Sequence, residues 1–582
     1  MNSDNFELAK SAAPQSISDY TAFSDKSWGQ KYDINNGVYQ SSLPVVEFDL
    51  NSIYRSDQFT NTEDLFIVTP VVMTCICSNA AGTTSYAAPT AGYSLMALKN
   101  NYQNLVHQID VTLDGKTLHD NQSFTNVYSN FKLLSSMNAN DLLCNNTGLG
   151  LASELDNEKS MKFYAANAVT QSGVGLVNNQ CFDGTASTSG GCVASVIQNG
   201  GQFNKALYNR MNRIVDITAN NTNGIFGSAK LVTETNLKAD FKPYYTVASD
   251  GKTMYWFDYS IINLKYLVDS LAQIGIVRRL NLRLRVTYNM GSVSMVIANP
   301  GVANQSYSSF THTFGGSCPF TINYLPLVAA SGGFPITALR LDACISLVKP
   351  ATTINNVAII QVTHPLSSCR IYYSNIKLAN DVATKYVTEN RAKQVIYERI
   401  IFSSDNNIGA TNTAQKTICA SVKYPIGLLC VPLISKTGVG GVGSPLTAAL
   451  GFSQYESPWD TCPATTAPIA LTNIIVQLGG TSVTGTAMNY SYENFMQQVA
   501  IAESLTSADA GLSVGLINQA FWESNRYYWF DLSRSREADK VVGRDLTISY
   551  TNSSNVPIDC LYYVVYLDKM TIDIETGVCE KV

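Results

Sequence analysis

The feature that most constrains this chain is that its two halves echo each other. In the first half, IDVTLDGKT is followed by FTNVYSNF; in the second, IIVQLGGTS is followed by MNYSYENF. Val111, Leu113 and Gly115 match Val476, Leu478 and Gly480, and Tyr128, Asn130 and Phe131 match Tyr492, Asn494 and Phe495. Each copy reads as a strand, a glycine turn, a short strand and a helix led by an aromatic residue. Downstream, Tyr255-Trp256-Phe257-Asp258-Tyr259-Ser260 parallels Tyr528-Trp529-Phe530-Asp531-Leu532-Ser533. An alternating strand follows each, at 284–288 and 546–550. Two matches in one order predict two related domains.

The offsets show where the copies differ. Tyr128 to Tyr492 is an offset of 364 and Asp258 to Asp531 one of 273, so the first copy holds 364 − 273 = 91 extra residues between the matches. That excess falls at about 138–241, in a stretch rich in Asn, Gly, Ser and Thr, and is expected to be a surface insertion. The division expected is an N-terminal arm at 1–40, a first domain at 41–350 and a second at 351–582, with the junction within 350–380.

Hydrophobic periodicity is mostly two. Val46, Phe48 and Leu50 alternate with polar residues, as do Leu282, Leu284, Val286 and Tyr288, then Leu546, Ile548 and Tyr550, then Met570, Ile572 and Ile574. Each set reads as a strand with one buried face. The run 561–567 (LYYVVYL) reads as a strand covered on both faces, with Asp568-Lys569 as a turn into the last strand. Three helices are expected: from Asn380-Asp381 to about Arg399, over Ile261–Gln273, and over Tyr490–Ser504. Strand-rich sequence punctuated by Gly and Pro predicts an all-β chain of sandwich or jelly-roll type.

Composition removes several classes of function. Lys and Arg number 39 against 44 Asp and Glu, a net charge of −5, which gives no bulk attraction to nucleic acid. Charged residues are 14% of the 582, and mean hydropathy is +0.01. Neutral polar residues and 32 Tyr fill the surface instead. The first residues, MNSDNFELAKSAAPQS, lack the apolar segment of a signal peptide. Neither apolar run, 65–77 or 424–434, is long enough to span a bilayer as a helix. The 13 Cys include no C-x-x-C pair, which speaks against a structural zinc site. Cys344, Cys430 and Cys560 sit in apolar runs, as buried free thiols do.

Candidate chemistry fares poorly against plainer readings. A literal GxGxxG spans 438–443, yet no helix pattern or βαβ rhythm surrounds it, so it reads as a loop. His107, His119, His312 and His364 have no GxSxG elbow beside them and read as structural or surface residues. Asp258 and Asp531 recur after the same aromatic string, so they read as caps of turns at strand ends rather than as a catalytic pair. Catalytic, cofactor-binding and metal sites are all read as absent. Aromatic density of 10% suits a glycan-binding groove and a subunit interface alike.

The C-terminal segment carries a resemblance. Asp531-Leu532-Ser533-Arg534, Gly543 before the strand at Leu546, the Asn555-Val556-Pro557 turn, the strand 561–567 and Ile572-Asp573-Ile574 with Thr576-Gly577 resemble the closing strands of the Polinton, polinton-like virus and virophage capsid proteins, relatives of the adenovirus hexon. The likeness is firm over about 470–582, looser over 41–350, and does not extend to 351–470. It implies a double jelly roll, two consecutive eight-stranded jelly rolls with a few short helices and a long loop insertion in the first.

It also implies a non-enzymatic major capsid protein: a homotrimer of pseudo-hexagonal outline that tiles an icosahedral DNA virus shell. Its partners would be neighbouring capsomers, single jelly-roll penton proteins and minor capsid proteins. It would need no cofactor and no sequence-specific contact with nucleic acid. It would be made in the host cytoplasm and reside in the virion, with membrane contact left open. Two readings compete: a glycan- or receptor-binding vertex or fibre protein, and a two-sandwich carbohydrate-active enzyme. The paired-domain repeat counts against a fibre, and the missing signal peptide against the enzyme.

Overall fold

Strands from each half of the computed structural model assemble into their own pair of sheets. The structure describes most of the chain from residue 23; outside the description lie 1–22, 52–57, 87–93, 151–245, 299–305, 325–337, 436–454, 456–468, 504–513 and 534–540, with shorter gaps elsewhere. The expected insertion at 138–241 and the glycine loop at 438–443 therefore fall almost wholly outside the described residues.

The first half contributes β1 (Phe23–Tyr32), β2 (Val45–Asp49), β3 (Phe66–Ser78), β4 (Val106–Leu113), β5 (Lys116–His119), β6 (Met254–Asn263), β7 (Leu282–Tyr288), β8 (Gly291–Ala298), β9 (Ser306–His312), β10 (Ala338–Leu347) and β11 (Arg370–Leu378). The second contributes β12 (Ala392–Ile408), β13 (Thr413–Val422), β14 (Pro425–Ile434), β15 (Leu471–Leu478), β16 (Thr481–Ser482), β17 (Tyr528–Asp531), β18 (Arg544–Asn552), β19 (Ile558–Asp573) and β20 (Cys579–Lys581). The main helices are α1 (Thr125–Ser136), α2 (Asp269–Ile274), α3 (Asn380–Glu389) and α4 (Tyr492–Glu503).

Alternation does what the sequence requires of it. In β2 the buried Val46 and Phe48 alternate with half-buried neighbours, and in β18 Leu546, Ile548 and Tyr550 do the same. Such one-faced strands must close over one another.

The second half closes as a jelly roll. Its sheets run β12-β19-β14-β17 and β13-β18-β15-β16. Lettered B to I in chain order, these are B-I-D-G and C-H-E-F, the double Greek key of a jelly roll. The first half repeats C-H-E-F as β2-β7-β4-β5, and its other sheet keeps β6 beside β3 as G beside D. There, however, the B and I positions are each filled by two strands end to end. Beside β3, β10 pairs with 71–78 and β11 with 66–68. Beyond them, β8 pairs with β10 and β1 with β11.

Pro70 accounts for the break. A strand residue points its N–H and C=O to the same side. The Pro70 carbonyl accepts from the Val348 N–H, so its missing donor faces the same neighbour, and β10 ends there. Val348 turns out with φ +58, and the chain returns as β11 only at Arg370.

Several expectations need correction. The helix expected to reach Arg399 stops at Glu389, and Ala379 rather than Asn380-Asp381 holds the cap position. From Ala392 the chain is strand, because the buried Val395 and Tyr397 alternate with the exposed Gln394 and Ile396 and pair with β19 throughout. The segment 261–273 is divided among the end of β6, a 3-10 turn at Leu264–Tyr266 and the start of α2. Asp568-Lys569 is no turn, since β19 runs through it. Residues 23–32, placed in the arm, form β1. The expected division at 350/351 falls between β10 and β11, two strands of one sheet.

Candidate assembly interface

The two jelly rolls are joined by exchange of parts. After β5 the chain forms α1, TNVYSNFKLLSS, whose single charge is Lys132. Val127, Tyr128, Phe131 and Leu134 leave their own half and enter the second core. Phe131 stacks on Trp529 with centroids 5.5 Å apart, and Tyr128 meets Tyr563 at 5.9 Å. The Tyr563 hydroxyl donates to the Phe124 carbonyl at 2.9 Å. In return, Val395, Tyr397, Met570, Ile572 and Cys579 join the first core. Aromatic stacking of this kind adds to the area each ring buries.

Charges stitch the seam. Lys132 bonds Glu398 of β12 at 2.5 Å and lies 3.7 Å from Asp269 of α2, whose carboxylate also accepts the Glu398 N–H. Arg399 bridges Asp120, just after β5, and Asp568 of β19. Burial alone would raise the Asp568 carboxyl, but the Lys569 N–H, Arg399 and Lys581 outweigh it and hold its pKa below the usual value. At Gly577, between β19 and β20, φ is +73 and a Cβ would press on the Arg279 carbonyl oxygen, so the backbones approach closely there. A cavity of about 250 Å³ lies in the seam, lined in part by Tyr128, Phe131, Lys132, Glu398, Val499 and Trp529.

The matched residues occupy like elements but not always like roles. Val111 and Leu113 in β4, and Val476 and Leu478 in β15, are buried. Gly115 (φ +74) and Gly480 (φ +77) make the turns that follow. Tyr128, Asn130 and Phe131 lie in α1, and Tyr492, Asn494 and Phe495 in α4. Asn130 belongs to a buried amide chain, accepting from Asn101 and donating to Asn104. Asn494 instead accepts from the Ser491 N–H and hydroxyl at the start of α4.

The second motif differs more. Trp256 lies in the first core opposite Met73, with Asp258 opposite Val71. Trp529 faces α1, with Asp531 opposite Gly427. The strings thus share a strand position with opposite faces, and Phe257 and Phe530 exchange faces likewise. Asp531 ends its strand and accepts from the Ser533 N–H and hydroxyl, as a turn cap does. Asp258 sits mid-strand, accepting from the Tyr259 N–H.

Lys132, Glu398, Asp269, Arg399 and Asp568 carry the seam, and sequence reasoning gives none of them that role: Asp568 reads as part of a turn and Arg399 as the end of a helix. A lone lysine in an otherwise neutral helix was the available signal. His107, His119 and His364 are all buried, and burial pushes each down to about 4. Of the Cys described, eight are buried, while Cys144 is exposed and Cys419 half-buried.

No family model matches the sequence, and no curated protein is similar to it. Among solved structures, the chain is similar to the Sputnik virophage structure at 10% identity and TM-score 0.40, over 96% of this chain and 89% of that one. It is similar to the mavirus major capsid protein at 9% identity and TM-score 0.38, over 95% and 90%. A third likeness is to the Faustovirus major capsid protein, at 9% identity and TM-score 0.41, over 97% and 98%.

Proposed function

We propose that this chain is a major capsid protein, the repeating block of an icosahedral DNA virus shell, acting as a homotrimer. The observation that carries this reading is the fusion of two jelly rolls by reciprocal exchange of α1 and the β12–β19–β20 end. Such a block holds two like barrels in one fixed relation. Three copies joined by a repeated heterologous contact close into a ring of six barrels, a pseudo-hexagon that can tile a face. The resemblance of 470–582 to virophage-type capsid proteins supports the same role.

On this reading the partners are neighbouring capsomers, single jelly-roll penton proteins and minor capsid proteins, and the protein resides in the virion. Its role is structural, with no reaction catalysed. A surface of neutral polar and aromatic residues suits contacts from which charge is depleted.

Light scattering on a sizing column tests the proposal. A species of three times 63.3 kDa, about 190 kDa, with six-lobed outlines by electron microscopy is the expected result. A monomer at every accessible concentration would overturn it.

A further inference from the structure

The outer faces of the two B-I-D-G sheets have opposite fates. On the second, α1 lies across the strands, leaving Trp529 6% exposed and Tyr563 1%. On the first, the equivalent face is built from Trp28, Tyr32, Phe66, Tyr372, Arg370 and Tyr259. The register sets them on one side: Tyr372 is opposite both Gln30 and Phe66, and Tyr259 is opposite Pro70. Their neighbours Ile371, Ile67 and Val71 point into the core.

This face is ordered but open. Trp28 meets Phe66 edge-on at 5.5 Å, Phe66 stacks on Tyr372 at 4.9 Å and 8°, and Arg370 lies over the Tyr372 ring at 6.0 Å. Yet Trp28 is 54% exposed, Tyr32 50% and Tyr259 46%. At one end α3 covers Ile376 and Leu378 with Val382 and Tyr386. At the other, Val362 and His364 cover Phe257. Among the described residues, no helix lies across the aromatic middle. A contiguous aromatic patch of this kind marks an interaction surface.

We infer that this face is the seat of a second copy of the chain, which lays its α4 there as α1 lies on the second jelly roll. The inference rests on the trimeric reading above and names the contact that closes its ring. The internal repeat identifies the occupant: α4 is the counterpart of α1 by element order and by Tyr492, Asn494 and Phe495. Alpha-1 has both sides covered, one by each jelly roll. Alpha-4 has one covered side, through Phe495 and Val499, while Tyr492 and Met496 are half-buried and Glu493 and Gln497 exposed.

Charge agrees, with the signs reversed. In the seam within one chain, a lysine on the helix meets acids from the opposing elements. Alpha-4 carries an acid, Glu493, in its first turn and no base in its last, and the open face offers Arg370, lying over the Tyr372 ring, and Lys26, 3.4 Å from Asp64. The first–second contact within a chain thereby has a matching second–first contact between chains, the requirement for a closed ring.

Light scattering and sedimentation of the full chain and three variants test this. Trp28→Asp alters an exposed side chain, so its melting temperature as a monomer is expected to match the parent's, while self-association weakens about 100-fold. Arg370→Glu is expected to weaken it similarly, and adding Glu493→Arg to restore it. Parent-like trimers of Trp28→Asp and Arg370→Glu would overturn this contact and leave the trimer standing. A monomeric parent chain would overturn the trimer and this contact together.

Discussion

The two jelly rolls solve one topology in two ways. In the second, B and I are single long strands, β12 and β19, paired from Ala392–Asp573 to Ile408–Ile558. In the first, the same two positions are each assembled from separate strands, and the join falls at Pro70. Pro432, within β14, interrupts nothing: it lies opposite Cys560 of β19 and beyond the reach of β17. A proline therefore divides a sheet only where its blank side faces the strand that would continue. The spliced arrangement brings the polar β1 into the sheet and lets the chain make the 348–369 excursion.

Titration separates the halves most sharply. All four His lie at or before residue 364, so the second jelly roll has none. His107, His119 and His364 are buried and titrate near 4, below the unfolded value of 6.5. The folded form therefore stays neutral while the unfolded form takes up protons. Stability is full above about pH 6.5 and falls as pH drops towards 4. At pH 5 the loss is about 2 kcal/mol for each, about 6 kcal/mol together. Brief exposure to pH 5 followed by limited proteolysis and mass mapping should show cuts in 23–378 before 392–581. First cuts in the second half would reverse the comparison.

Phe131→Ala tests how far the halves depend on each other. It removes a buried ring from between Trp529, Tyr527 and Phe495, at a cost of about 3–5 kcal/mol. Calorimetry should show one unfolding transition becoming two as the exchange is weakened. A single transition at the parent temperature would mean that α1 contributes little to the union.

The hydroxyls buried at the ends of the two alternating strands compare the cores directly. Tyr288 bonds Thr69 at 2.9 Å, and Tyr550 bonds Tyr562 at 2.7 Å. Each of Tyr288→Phe and Tyr550→Phe leaves a buried hydroxyl with one partner fewer, so each should lose about 1–2 kcal/mol in denaturant melts. Matching losses would show that the two cores treat this position alike despite different partners.

Much of this architecture was legible in the sequence. Strand, glycine turn, short strand and helix could be read twice in order because local periodicity and turn chemistry act within about ten residues. Helix α4 was legible for the same reason. What escaped depends on distant partners. Glu389 four before Lys393 suits a helix that continues into 392–399, and only pairing with β19 makes those residues strand. Strand β1, FSDKSWGQKY, does not alternate because most of both its faces is exposed, so nothing in it distinguished a strand from an arm. The opposite faces of Trp256 and Trp529 escaped too, since a one-residue difference in register leaves the string unchanged and turns the side chain over. The seam ion pairs join residues far apart in the chain, and no spacing announces them.

Pro70→Ala asks whether that proline organises the break or merely occupies it. The substitution supplies an N–H on the side where β10 has ended and Val348 already donates to the residue 70 carbonyl. The new donor is buried without an acceptor, and the unfolded chain gains freedom, so stability should fall by about 1 kcal/mol. Its amide should also exchange with deuterium faster than those of Thr69 and Val71. A gain in stability, with protection at residue 70, would mean that β10 and β11 can join into one I strand once the proline is gone. The two jelly rolls would then differ by a single side chain at this edge, and the excursion at 348–369 would be its consequence.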